Sequence, residues 1–257
     1  IEQQPVVVQR KQSELYYTLL TENLFGRRIT KRSIQQRTQK RTIKSELTEL
    51  SKESKKEREK QLKMEAAVAK PMIKVAALCG SLRKASYHRG LINSAIQICN
   101  ESIPGMKIEF INIEHLPFMN EDLEVNGTYP PVVEAFRQKI LEADSVLFAS
   151  PEYNYSVTAP MKNAIDWASR PQNVWADKPA ATISTGGNAG GSRSQYHLRQ
   201  IGVYIDLHFI NNPEFSLNAY QKPIKFDEDG NLVDLESKEK LKEVFLSLKK
   251  FTHRLQD

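Results

Sequence analysis

The sequence predicts an α/β protein built on a doubly wound, five-stranded parallel sheet with helices on both faces. Three observations carry this. Five short apolar runs lack the in-and-out alternation of a half-solvated strand, stretches with helical spacing separate them, and unusual loops rich in Gly, Ser or Tyr follow three of them. The first run, IKVAAL at 73–78, reads as a buried strand, and YHRGLINSAIQICN at 87–100 reads as a helix. A strand at about 107–113 (KIEFINI), a helix at about 131–142 (PVVEAFRQKILE) and a strand at 145–149 (SVLFA) come next. A helix at about 160–169 leads to a strand at 180–185 (AATIST), a helix near 192–201 and a last strand around 204–210. Leu241, Val244, Phe245, Leu248 and Phe251 then give a closing helix at 237–254 one apolar face.

Charge divides the chain of 257 residues. Its net charge is +6, yet residues 1–70 hold 17 Lys and Arg against 9 Asp and Glu, leaving 20 against 22 for the remainder. The basicity therefore belongs to a leader, and the nearly neutral remainder gives no reason to expect a nucleic-acid partner. Residues 27–63 show no sustained apolar period, so the leader, 1–63, is expected to be basic and disordered. Met64 stands just before the patterned region and is the expected biological start, with the globular domain at 72–257. Five Glu residues between 46 and 59 fit a transit peptide poorly. Cys79 and Cys99 lack C-x-x-C spacing and sit in apolar segments, which suits free thiols in a reducing, cytoplasmic setting. No run approaches the roughly 18 apolar residues of a membrane span.

In a doubly wound sheet, ligands bind beyond the carboxyl ends of the strands. Three loops leave such ends. In CGSLRKASYHRG (79–90), Gly80 permits a tight turn, Ser81, Arg83 and Ser86 offer donors, and Ser86 suits a helix N-cap. That composition describes either an anion-binding loop, with phosphate the natural ligand, or a capped helix with basic residues in solvent. Neither G-x-G-x-x-G nor G-x-x-x-x-G-K-[ST] occurs, which disfavours ordinary dinucleotide and nucleoside-triphosphate loops. In SPEYNYS (150–156), Pro151 directs the chain, Tyr153 and Tyr155 offer flat faces and Asn154 an amide for a planar heterocycle; a rigid turn is the alternative. In TGGNAGG (185–191), glycines allow close backbone approach to a ligand, or simply a flexible turn. One phosphate loop and two loops approaching a large ring describe a mononucleotide, and in a flavodoxin-like sheet that mononucleotide is FMN.

GSLRKAS (80–86), SPEYNYS (150–156), KNAIDWASR (162–170) and STGGNAGGSRSQYHLRQ (184–200), in this order, resemble the NADPH-dependent FMN reductase family, and within it the plant quinone-oxidoreductase branch. The similarity covers about 72–235 and does not reach the leader. By that resemblance Ser81, Arg83 and Ser86 hold the FMN phosphate, Pro151, Glu152, Tyr153 and Asn154 line the ring, and Thr185, Gly186 and Gly187 approach its pyrimidine end. His88 stands where the family usually has Asn; it either donates to the phosphate, linking flavin affinity to pH, or faces solvent.

The resemblance implies a two-electron, ping-pong transfer from NADPH or NADH through FMN to quinones, with no catalytic side-chain acid or base. It also implies a homodimer or homotetramer, with Trp167 either in the core or reaching a neighbouring subunit. The rivals are a flavodoxin-like single-electron carrier and an NADPH-dependent FMN or azo reductase. Against the carrier, flavodoxins tend to be acidic with a Thr-rich phosphate loop, whereas this core is nearly neutral with a Ser/Arg loop. Metal hydrolysis and serine catalysis find no support, since H-E-x-x-H and G-x-S-x-G are absent.

Overall fold

The computed structural model describes residues 31–68 and 71–256, and the chain divides into two units, residues 1–69 and 70–257. In the first unit a 38-residue helix, α1 (Lys31–Val68), stands where the sequence reading expected disorder up to residue 63; residues 1–30 of the expected leader lie outside the described residues. The reason is local. No Gly or Pro interrupts 31–68, and Lys, Arg, Glu and Gln are good helix formers. Glu49 and Lys52, Glu53 and Lys56, and Lys55 and Glu59 are spaced three or four apart, which brings the two members of each pair together on the helix surface. Ser45, Thr48, Ser51 and Ser54 donate back to carbonyls of the preceding turn, so these hydroxyls support no competing turn.

The second unit follows the expected alternation: β1 (Ile73–Cys79), α2 (Tyr87–Ser102), β2 (Met106–Ile111), α3 (Pro131–Leu141), β3 (Ser145–Ala149), α4 (Ala159–Ser169) and β4 (Lys178–Gly186). After α5 (Ser192–Tyr204) come β5 (Leu207–Phe209), β6 (Phe215–Asn218) and α6 (Leu235–Gln256). Every pairing is parallel, and the strand order is β2-β1-β3-β4-β5. The sixth strand is an addition to the five expected. It pairs with β4 at Ile183–Gly186, beyond the Lys178–Ala180 stretch that β5 covers, so β5 and β6 share the fifth position in the sheet.

Alternation along β1 builds two cores. Ile73, Val75, Ala77 and Cys79 face α2 and α6, where Leu91, Ile92, Leu241 and Phe245 are fully buried. Ala76 and Leu78 face the other side with Val146, Phe148, Phe136, Ile140 and Trp167. Trp167 belongs to this core: its indole N–H donates to the Pro117 carbonyl at 2.7 Å, which settles it as an internal residue of the fold. Chain order reverses between β1 and β3. Their carboxyl ends therefore form the switch point where doubly wound sheets take ligands.

One contact fixes the first turns of α2. Gly90 lies so close to the 227–231 turn that a Cβ would stand 1.9 Å from the Gly230 carbonyl oxygen, a backbone atom that has nowhere to go. Beside it Tyr87 stacks on Phe226 with ring centroids 4.3 Å apart. Gly90→Ala is expected to lower stability by about 3 kcal/mol through overpacking. The urea midpoint at unchanged slope measures this, and a midpoint equal to that of the native protein refutes it.

Candidate functional site

The loops after β1, β3 and β4 converge on one cavity of about 420 Å³. Its first wall is the phosphate-type loop. Ser86 adopts extended backbone as the N-cap of α2, and its hydroxyl accepts from the Arg89 N–H at 3.4 Å. The Ser81 hydroxyl accepts from the Arg83 N–H at 3.3 Å, while Thr158, the N-cap of α4, donates to the Gly80 carbonyl at 2.6 Å. Arg83 projects to the cavity with its guanidinium carbon 5.0 Å from the Tyr87 ring centroid and with no carboxylate partner among the described residues. Positive charge and a helix N-terminus thus meet at one end of the cavity, which suits an anion.

The second wall follows β3. Pro151, Glu152 and Tyr153 line the cavity. Asn154 and Tyr155 carry φ of 50° and 66° between the paired residues Tyr153 and Ser156, whose N–H groups and carbonyls exchange two bonds of 3.0 Å, as in a type I′ turn. Asn154 sits at the turn and is not among the cavity-lining residues. Glu152 accepts from the Arg193 N–H at 3.0 Å and from its Nε at 2.6 Å, so the carboxylate caps α5 and joins the second loop to the third.

The third wall, 185–191, is held as a shaped turn. Gly190 and Gly191 have φ of 56° and 82°, and a Cβ on Gly190 would meet the Leu217 nitrogen at 2.8 Å. Gln195 anchors the loop's base by donating to Ser184 Oγ and to the Phe215 carbonyl, both at 2.7 Å. Thr185 directs its hydroxyl to the Leu217 carbonyl at 2.9 Å and lines the cavity beside Gly186 and Gly187.

His88 corrects both sequence alternatives. It is 5 % exposed, its Nε2 accepts from the Thr185 N–H at 3.2 Å, and its other nitrogen donates to the Ser150 carbonyl. Burial first, and the nearby Arg83 charge second, push its pKa down to about 3. His88 is therefore a neutral bridge joining α2 to the ends of β3 and β4, neither a solvent-facing group nor a cationic phosphate ligand.

Ten of the eleven residues expected at the site line this cavity, and Asn154 does not. Tyr87, Gly190, Gly191, Arg193 and Tyr220 line it as well. The sequence reading did not nominate Arg193, although a charged residue directly after the glycine loop was the signal that could have found it. Tyr220, 77 % exposed, follows β6 and had no sequence signal.

The NADPH-dependent FMN reductase family matches residues 73–222, the segment that supplies all three walls. The chain belongs to this family. Among members of the family, the NADPH:quinone oxidoreductase of Arabidopsis thaliana is 72 % identical over 75 % of this chain and 99 % of the relative. An NAD(P)H-dependent FMN reductase of Pseudomonas aeruginosa is 43 % identical over 71 % of this chain and 97 % of that protein. The solved structure of FerB, a flavoenzyme NAD(P)H:(acceptor) oxidoreductase from Paracoccus denitrificans, superposes with a TM-score of 0.61 at 29 % identity, covering 72 % of this chain and 97 % of that one.

Within this family domain, Glu152 is paired to Arg193 and His88 is neutral and internally bonded. The cavity's acid and imidazole are thus committed to architecture. Cys79 and Cys99 are buried free thiols; burial raises both pKa values, that of Cys99 to about 12, so they stay protonated. Among the described residues no helix is long and apolar enough to cross a membrane.

Proposed function

We propose that this chain is an FMN-dependent NAD(P)H:quinone oxidoreductase. One observation carries the reading: a single cavity has an anion-binding helix terminus at one end and a close-approach glycine loop at the other. Its size lies within the about 300–1,000 Å³ usual for small-molecule sites. The residues fit FMN. Ser81, Arg83 and Ser86 take the phosphate; Pro151, Glu152 and Tyr153 border the ring; Thr185, Gly186 and Gly187 meet the pyrimidine edge with backbone. Gly187 supports this placement, since a Cβ there would meet no atom within 4 Å. FMN, when bound, supplies two-electron exchange between a nicotinamide and a quinone. The chain's own work is to hold the cofactor rigidly through the His88 and Glu152 braces, and to offer backbone N–H groups to charge at the pyrimidine edge.

The reading extends to a homo-oligomer placed in the cytoplasm, with the segment before residue 72 taking no part in flavin binding. The visible spectrum of the purified protein, chromatography of any released chromophore, and steady-state kinetics with NADPH and a quinone test it. Bound FMN and parallel double-reciprocal lines are expected. A colourless protein that takes up no added FMN refutes the cofactor, and a yellow protein that does not oxidise NADPH in the presence of quinone is instead an electron carrier.

A further inference from the structure

The phosphate loop is braced by a segment that lies beyond the family match at 73–222. Residues 225–233 form a hairpin that closes on itself. The Val233 N–H donates to the Lys225 carbonyl at 2.9 Å and the Asp227 N–H to the Asn231 carbonyl at 3.0 Å, while the Asp227 carboxylate accepts from the Asn231 N–H at 2.8 Å and from its Nδ2 at 3.0 Å. At the base, the buried Lys225 donates to Asp234 Oδ2 at 3.1 Å, and the same oxygen accepts from the Ser237 N–H at 2.9 Å, which ties the hairpin to α6. Leu241, Val244 and Phe245 anchor α6 in the core. A fixed support therefore reaches the phosphate loop.

Two contacts transmit that support. Gly230, at φ 85°, lies so near the loop that a Cβ would stand 2.7 Å from the Ala85 carbonyl oxygen and 3.3 Å from the Ser86 carbonyl carbon. The Phe226 ring stacks on Tyr87 with the two planes inclined by only 14°. Tyr87 lines the cavity, and the Arg83 guanidinium rests over its ring. Among the described residues that guanidinium has neither an ion pair nor a hydrogen bond, so the Tyr87 ring is its support. Phe226 is buried and is not itself a cavity-lining residue. An arginine held in place before its ligand arrives loses less freedom on binding than one that must be ordered by the ligand.

Building on the reading of the cavity as an FMN site, we propose that Phe226 is a positioning residue for the cofactor phosphate: it fixes Tyr87, Tyr87 fixes Arg83, and Gly230 seats the Ala85–Ser86 backbone from the same hairpin.

Fluorescence titrations of the flavin-free full chain with FMN and with riboflavin, which has the ring but no phosphate, provide the first test. Phe226→Leu is expected to raise the Kd for FMN about tenfold, the cost of ordering one long side chain, and to leave the Kd for riboflavin as in the native chain. Gly230→Ala presses on Ala85 instead of removing the stack and is expected to discriminate between the two flavins in the same sense. In an Arg83→Ala background, Phe226→Leu is expected to change the Kd for FMN by about twofold at most, because a residue that acts through Arg83 has nothing left to position. An unchanged Kd for FMN in Phe226→Leu, equal losses for FMN and riboflavin, or a tenfold loss that persists without Arg83 each overturn the proposal.

Hydrogen exchange in the flavin-free chain is the second test. The Arg89 and Gly90 N–H groups both donate to Ser86, at the point where the hairpin meets the loop. Phe226→Leu is expected to speed their exchange about tenfold while the amides of β3 and β4 keep their native rates, the mark of a local opening. Native rates at Arg89 and Gly90 overturn the brace, and so does an equal acceleration across the sheet, which is a loss of global stability. A native chain that binds no FMN refutes the cofactor reading, and the exchange rates then decide the brace by themselves.

Discussion

Arg83→Ala is expected to weaken FMN binding about a hundredfold while leaving the fold intact. Arg83 is exposed at the mouth of the phosphate loop, lacks a carboxylate partner among the described residues, and lies beside the capped N-terminus of α2. Its charge is therefore available to a phosphate, and a hundredfold loss is about 2.7 kcal/mol, within the about 1.5–3 kcal/mol of one charge-assisted bond. Arg83→Lys keeps the charge but loses the fork, so it should recover only part of the affinity. Raising ionic strength should weaken the native complex more steeply than the alanine variant, because a screened charge is what the variant already lacks. Fluorescence titration of the apoprotein with FMN measures all three. Equal dissociation constants for the native chain and the alanine variant would remove Arg83 from the phosphate site.

The alternation of strands and helices was legible because β1, β3 and β4 are apolar on both faces, the edge strand β2 alternates buried apolar with exposed charged residues where the sequence reading expected both faces apolar, and α2 to α6 carry periodic apolar stripes. Those patterns persist over five or more residues in β1 to β4. In β6 they do not: FSLN is four residues long, only Phe215 is buried, and Asn211, Asn212 and Pro213 separate it from β5. Pairing with the far half of β4 decides that strand, and pairing is not a property of local sequence. Tyr220 was missed for the same reason, since it enters the site from the chain leaving β6. The long helix α1 escaped for the opposite reason. Its apolar content is too low to imply burial, yet its unbroken run of good helix formers stabilises local hydrogen bonding without a core. At the site, residue types announced the loops, but not what each side chain would bind. Glu152, expected beside the flavin ring by resemblance, lines the cavity, and residue type did not announce that its carboxylate also pairs with Arg193 and the start of α5.

His88 is the residue whose role the sequence left most open, and its substitution should change how stability depends on acidity. In the native state its pKa is about 3, whereas an unfolded histidine titrates near 6.5. Between those values the unfolded chain binds a proton that the native chain refuses, so stability must rise with pH across this window and fall as pH drops from about 6.5 toward 3. The slope contributed is about 1.4 kcal/mol for each pH unit well inside the window. The refusal has identified causes: burial disfavours an imidazolium, and Arg83 repels it. Protonation would also put a donor on Nε2 opposite the Thr185 N–H, turning an accepted bond into a clash of two donors. His88→Asn retains one acceptor and one donor but cannot titrate, so its urea midpoint should fall less than that of the native protein between pH 7.5 and 4.5. Carboxylates elsewhere titrate in both proteins, and the difference between the two profiles isolates the imidazole. His88→Ala separates bonding from charge: it leaves the Thr185 N–H and the Ser150 carbonyl without their partner, which should cost about 2–5 kcal/mol at pH 7.5, where His88 is neutral in either state. Parallel profiles for the native and asparagine proteins would mean that the imidazole already carries its proton in the fold. The bridge between α2 and the ends of β3 and β4 would then rest on groups other than His88.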